Sequence, residues 1–157
     1  MGKDSETGEP PVEVTTSPKG VTIGISSDIS FEPGSATTKP GFLDILKKIV
    51  PTIEESYFMI AVEGHTDSDP LPKSLRERYP SNWELSGARA SAVVRLLIGL
   101  EVDPTRLQSV GYGEFVPRDK NTAEIITTDL IQKYNSNPQQ KSRNRRVEIT
   151  FLAPNKL

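Results

Sequence analysis

Between Ser81 and Leu100 the apolar residues Leu85, Ala88, Ala92, Val93, Leu96 and Leu100 recur at helical spacing. Ser81 with Glu84 three residues later is a capping box, which satisfies amide donors left open at a helix start. The segments on either side have the two-residue period of half-buried strands. Val21-Thr22-Ile23-Gly24-Ile25 alternates, Tyr57 to Glu63 sets Phe58, Ile60 and Val62 on one face, and Val147, Ile149 and Phe151 alternate late in the chain. Another strand is predicted near Leu107 to Gly111. A helix striped on one side cannot stay alone in water, so this pattern predicts a helix laid on a sheet.

A second helix follows from Phe42, Leu43, Leu46, Ile49, Val50 and Ile53, with Pro40 at its first turn and Pro51 as a late kink or stop. The order β-α-β-α-β-(α)-β indicates an α/β (α+β) sandwich, with helices packed on a mixed four-stranded sheet. The bracketed helix is Asn121 to Tyr134, where Ile126, Leu130 and Tyr134 fall four apart. Residues 1–20 are polar and Pro-rich and read as a flexible linker. That leaves one domain over 21–157, with a helical insertion near 118–142.

Composition removes several classes of function. A chain of 157 residues is one domain with a proper core. A net charge of −2 gives no basic field for nucleic acid. Without cysteine there is no thiolate catalysis and no disulfide framework. A single histidine, His65, cannot supply a metal cluster, so neither metal nor cofactor is expected. No apolar stretch is long enough to cross a bilayer, and no signal-peptide pattern opens the chain.

Three places carry charge in a pattern that suggests chemistry. Asn82 and Arg89 are seven residues apart, within about 20° of each other around the helix, and Arg89 lies beside the apolar stripe. A guanidinium there needs an anionic partner, and Asp67, just after a strand, is the natural candidate. Spacing alone leaves open whether the pair is a salt bridge holding the loop or part of a ligand site. Lys141 to Arg146 is too short and too poor in aromatics for a nucleic-acid patch; it is either a solvated strand end or an anion-binding edge. Asp67 and Asp69 could be read as a hydrolase pair, but no nucleophile–base–orienter set accompanies them, so no enzyme is expected. Trp83 reads as a packing residue of the first helical turn.

Glu63-Gly64-His65-Thr66-Asp67, then Asn82-Trp83-Glu84-Leu85-Ser86-Gly87-Ala88-Arg89-Ala90, then Asn144-Arg145-Arg146-Val147-Glu148-Ile149 resemble, in this order, the OmpA-like family of peptidoglycan-binding domains. The resemblance covers roughly Val21 to Leu152. It implies that Asp67 and Arg89 grip diaminopimelate in the wall's stem peptide, with Asn82 beside them and one arginine, Arg145 in preference to Arg146, on a stem-peptide carboxylate. Thr66 and Leu85 complete the implied site, and the Phe31-to-Ala36 loop rims it. The chemistry agrees, since an amino-acid head offers an ammonium to a carboxylate and a carboxylate to the two-donor fork of arginine.

The longer loop ending Tyr79-Pro80-Ser81-Asn82-Trp83-Glu84-Leu85-Ser86, with Gly111-Tyr112-Gly113-Glu114, is similar to the flagellar motor stator branch (MotB type and its sodium-driven relatives). The type VI secretion anchor protein TssL carries a similar domain. The stator resemblance implies several partners: peptidoglycan, a second copy in a homodimer, and a MotA-like channel subunit in the full-length protein. It also implies a periplasmic domain of a protein anchored in the inner membrane, and hence a fragment of a longer chain.

Overall fold

The structure, a computed structural model, describes residues 11–121 and 123–154. In chain order its elements are β1 (Val12–Ser17), β2 (Gly20–Ser26), α1 (Ser27–Ser30), α2 (Phe42–Glu54), β3 (Ile60–His65), α3 (Asn82–Gly99), β4 (Leu107–Gly111), α4 (Thr128–Lys133), α5 (Pro138–Asn144) and β5 (Arg146–Leu152). The strands form one mixed sheet in the order β1-β2-β5-β3-β4, antiparallel except for the parallel pair β3 and β4. The α/β architecture is the expected one, with five strands in place of four.

The fifth strand, β1, lies in the stretch expected to be linker. Val12 pairs with Ile25 and the ladder runs to Ser17 opposite Gly20. The β-branched residues Val12, Val14, Thr15 and Thr16 suit a strand, and Pro11 and Pro18 stand just outside the ladder, as prolines do at an edge. The remainder of the expected linker, residues 1–10, lies outside the described residues.

One face of the sheet is apolar and carries α2 and α3. Ile25, Ile60, Val62, Val147 and Ile149 meet Phe42, Leu46 and Ile53 of α2 and Val93 and Leu97 of α3 in a single core. Pro51 does not end α2, which runs on to Glu54. The buried face of α3 is displaced by one residue from the large apolar residues of its sequence. Ser86, Ala90, Val93 and Leu97 are fully enclosed, whereas Leu96 and Leu100 are only partly buried.

Close approach explains the small residues on that face. A Cβ on Gly64 would sit 2.2 Å from the Ser86 carbonyl oxygen, and one on Gly111 would sit 2.5 Å from the Gly87 nitrogen. The first half of α3 therefore rests directly on β3 and β4, and this fixes the positions of Asn82 and Arg89.

The predicted helix over Asn121 to Tyr134 is shorter than its pattern. Only Thr128–Lys133 is helical, and Ile131 is buried while Ile125 and Ile126 are exposed. Thr127 starts α4 by accepting the Leu130 N–H, and Asn137 with Pro138 starts the separate α5. The cap at Thr127 starts the helix six residues later than the pattern, and α5 is a further helix beyond Tyr134.

Candidate functional site

Pro11, Ser26, Arg146 and His65 form one row across the sheet, through the Ser26 N–H to Pro11 carbonyl bond and the registers Ser26–Arg146 and His65–Arg146. The site lies just beyond this row. Past β3 the Thr66 N–H donates to the Gly113 carbonyl, and the Thr66 hydroxyl donates to the Asp67 carbonyl at 2.8 Å. The Asn82 amide donates to the carbonyls of Asp67 (3.3 Å) and Asp69 (3.1 Å). Thr66 and Asn82 thus hold the loop by its backbone and leave the Asp67 carboxylate directed by its own contacts. Leu85 is buried beneath, against Leu71 and Tyr79.

Asp67 Oδ1 accepts the Asp69 N–H at 2.9 Å, and Oδ2 accepts Arg145 Nη1 at 2.7 Å. Arg145 also donates from Nε and Nη2 to the two oxygens of Asp28, at 2.9 and 3.1 Å. This is a bidentate pair on one edge of the guanidinium and a single bond on the other. Burial opposes the Arg145 charge, but the bonds to Asp28 and Asp67 outweigh it and raise its pKa. Asp28 itself is placed by α1, where its N–H donates to the Ser26 hydroxyl.

Arg89 takes a different course from the one expected. No carboxylate lies within ion-pair distance of it among the described residues. Its Nε donates to the Ser35 carbonyl at 2.7 Å and its Nη2 to the Glu32 carbonyl at 3.3 Å, with the guanidinium 5.0 Å from the Phe31 ring centre. The Phe31-to-Ala36 loop therefore cradles it. Burial draws its pKa down to about 10, against the fields of Asp28 and Asp67, so it remains charged at neutral pH. The loop-holding Asp67–Arg89 salt bridge is not formed: Arg145 is the cation on Asp67. Asp28 was missed by sequence reasoning. It stands in a four-residue helix too short to leave a period.

Arg146 opens β5 and shares a face with Glu148 and Thr150, opposite the core residues Val147 and Ile149. It is buried, donates from Nε to Glu148 at 2.8 Å, and reaches the carbonyls of Asn144 and Val116. There it cannot edge the groove that holds Asp67. His65 shares that side, stacked on Tyr112 with centroids 5.2 Å apart. Its Nε2 stands 3.5 Å from Glu148, too long and misaligned for a hydrogen bond, and neither ring nitrogen has a partner. Burial first, then the Arg146 charge, lowers its pKa to about 4. Trp83 is half exposed and stacks on Phe115 at 5.0 Å. Asp69 pairs with Lys141 at 3.1 Å, and its side chain is mostly in solvent.

The family model described as the OmpA family matches residues 30–145, well over half of the chain. The chain belongs to the OmpA family. This OmpA-family chain is 33% identical over 135 residues to the uncharacterized protein YtxE of Bacillus subtilis (85% of this chain, 48% of that one). It is 31% identical over 144 residues to Motility protein B of the same organism (90% of this chain, 48% of that one). It thus spans about half the length of these curated relatives. Among solved structures it is similar to the cell wall anchor of the type VI secretion system from Pseudomonas aeruginosa, at TM-score 0.73 and 30% identity, covering 92% of this chain and 89% of that one. Among the described residues no helix is long and apolar enough to cross a membrane.

Proposed function

We propose that this domain binds the diaminopimelate residue of the peptidoglycan stem peptide without cleaving it, in the periplasm, and so ties a flagellar motor stator complex to the cell wall. The observation that carries the reading is the Arg89 guanidinium, held by two backbone carbonyls with no carboxylate at ion-pair distance among the described residues, yet within the field of the Asp67 carboxylate. An amino-acid head supplies the missing anion to Arg89 and an ammonium to Asp67. Arg145 reaches the ligand only by loosening its hold on Asp28 or Asp67. The likeness to Motility protein B supports the stator setting, in which the domain works as a homodimer beside a MotA-like channel subunit.

A second setting is favoured by one specific observation, the structural likeness to the type VI secretion wall anchor. There the same site would tie a secretion apparatus to the wall. The decisive experiment incubates purified wall sacculi with this chain and with Arg89→Ala, and measures both pelleted protein and soluble fragments. Retention of the unmodified chain, loss of retention in a folded Arg89→Ala, and no released fragments are expected. Released muropeptides would make it an enzyme. Equal retention of both proteins would remove the site.

A further inference from the structure

Two cations and two carboxylates lie within one another's fields here, and they are not paired symmetrically. Arg145 touches both Asp28 and Asp67, while Arg89 touches neither. The four charges sum to zero. Asp28 takes the Nε–Nη2 edge of Arg145 with both oxygens, which leaves Asp67 only one hydrogen bond from that arginine. The second Asp67 oxygen is occupied by nothing stronger than the Asp69 N–H. Asp28 is itself steadied by the Ser26 hydroxyl on its N–H and the Ser142 hydroxyl near Oδ2.

We infer that Asp28 is the specificity-determining residue of this site: by neutralising Arg145 it keeps Asp67 available to a ligand ammonium, and so selects a zwitterionic amino-acid head over a bare dicarboxylate. The inference rests on the reading of Asp67 and Arg89 as the grip. Without the Asp28 charge, Asp67 becomes the sole carboxylate on Arg145 and the cleft gains one net positive charge. An incoming ammonium then meets an engaged partner and an unfavourable field, whereas an incoming carboxylate finds a second unpaired guanidinium edge. Discrimination changes because a repulsive element is introduced as well as an attraction lost. The effect is on selectivity, which separates it from a role in folding. Loss of the fold weakens all ligands in proportion.

Two probes differ in the required way. Diaminopimelate carries an amino-acid head at each end, and pimelate is the same chain with carboxylates alone. Titration of each into the protein, followed by amide chemical shifts, gives a ratio of affinities. The unmodified chain is expected to prefer diaminopimelate. Asp28→Asn should lower that ratio by about tenfold, the scale on which one charge influences another at this range, with pimelate binding unchanged or tighter. Asp28→Glu, which keeps the charge, should recover most of the preference. Arg145→Gln should move the ratio the other way, and it serves as the readout if Asp28→Asn does not fold.

Parallel weakening of both probes in these variants, with the ratio unmoved, would overturn the role of Asp28 while leaving the Asp67–Arg89 grip standing. Failure of the unmodified chain to bind either probe would overturn the grip, and this inference with it.

Discussion

Arg145 and Arg146 are consecutive in the chain and could hardly be more differently placed. Arg145 stands at the rim with a third of its side chain exposed, shared between Asp28 and Asp67. Arg146 is 6% exposed and fastened to Glu148 and two backbone carbonyls. Alternation along β5 sends Arg146 to the face opposite the core, while Arg145 stands ahead of the strand where α5 ends. A charge at a rim can exchange partners at modest cost, because water and ligand can replace what it leaves. A buried charge cannot, since losing its partner strands the other ion in a poorly solvating interior. The comparison teaches that a run of basic residues is not one feature: here one arginine stands at an exchangeable rim and the next is buried scaffold.

The largest expected effect tests the scaffold half. Arg146→Ala should cost about 3–5 kcal/mol of stability, because Glu148 and the Val116 carbonyl lose a buried partner. Denaturant unfolding measures this, and wall binding by the remaining folded protein should be unimpaired. A stable Arg146→Ala that fails to bind the wall would reverse the two roles.

Next in size is the proposed grip at Arg89, on whose charge Arg145 acts. Arg89→Ala should weaken wall binding by about 2–5 kcal/mol in a protein that still folds. Arg89→Lys should fail too, because an ammonium cannot span the Ser35 carbonyl and a ligand carboxylate as a planar fork does. Co-sedimentation with sacculi beside a melting curve separates binding from folding for both variants.

The third effect sharpens the comparison through pH. His65 lies with Arg146, and its pKa is depressed from 6.5 to about 4 by burial and by that arginine. Below pH 6.5 the unfolded chain takes up a proton that the folded chain refuses, so stability falls from there down to about pH 4. The total loss is up to about 3 kcal/mol, at about 1.4 kcal/mol per pH unit. Contact with His65 and the Arg146 charge outweigh burial and depress Glu148 below its ordinary value of 4.5, so its contribution is present above that pH and is lost progressively as pH falls below it. His65→Phe keeps a ring on Tyr112 and gives up no hydrogen bond. Its melting temperature should be nearly level between pH 6.5 and 4.5, where the unmodified chain slopes.

The smallest effect belongs to the rim. Lys141→Ala removes the exposed pair with Asp69 and should change stability by less than about 1 kcal/mol. A larger change, seen by the same unfolding assay, would mean that the loop after Asp67 is held by charge more than by the Asn82 amide.

The sheet and its two main helices were legible because strands β2, β3 and β5 carry a two-residue period and α3 carries an apolar stripe with a cap. β1 was not, since flanking prolines and a Thr/Ser-rich body read as linker until a partner strand is known. The face of α3 was misplaced by one residue for a related reason. Hydrophobicity follows the large side chains, but the closest packing against Gly64 and Gly111 selects Ser86 and Gly87, which a hydropathy period barely registers.

Of the expected pairings, the one read from position, Arg89 with Asp67, is replaced by Arg145 with Asp67. The Arg145 contact joins residues 78 apart in sequence, and Asp28 to Arg145 spans 117. Such pairings follow from sheet order, which no local pattern encodes. The separation of the two arginines follows from an element boundary, since Arg145 caps α5 and Arg146 opens β5.

The row Pro11, Ser26, Arg146 and His65 places the entry of β1 on the same end of the sheet as the cleft. Three strand spacings, about 14 Å, separate Pro11 from His65. A pull applied between residue 11 and a molecule held at Asp67 is therefore transmitted crosswise, through the Ser26–Pro11 and Ser27–Arg145 backbone bonds and the Asp28–Arg145 pair. The strands are not drawn along their length, and the apolar layer beneath α2 and α3 lies off the line of force. Under tension the domain behaves as a short crossbar at one end of the sheet, with most of its core carrying no load.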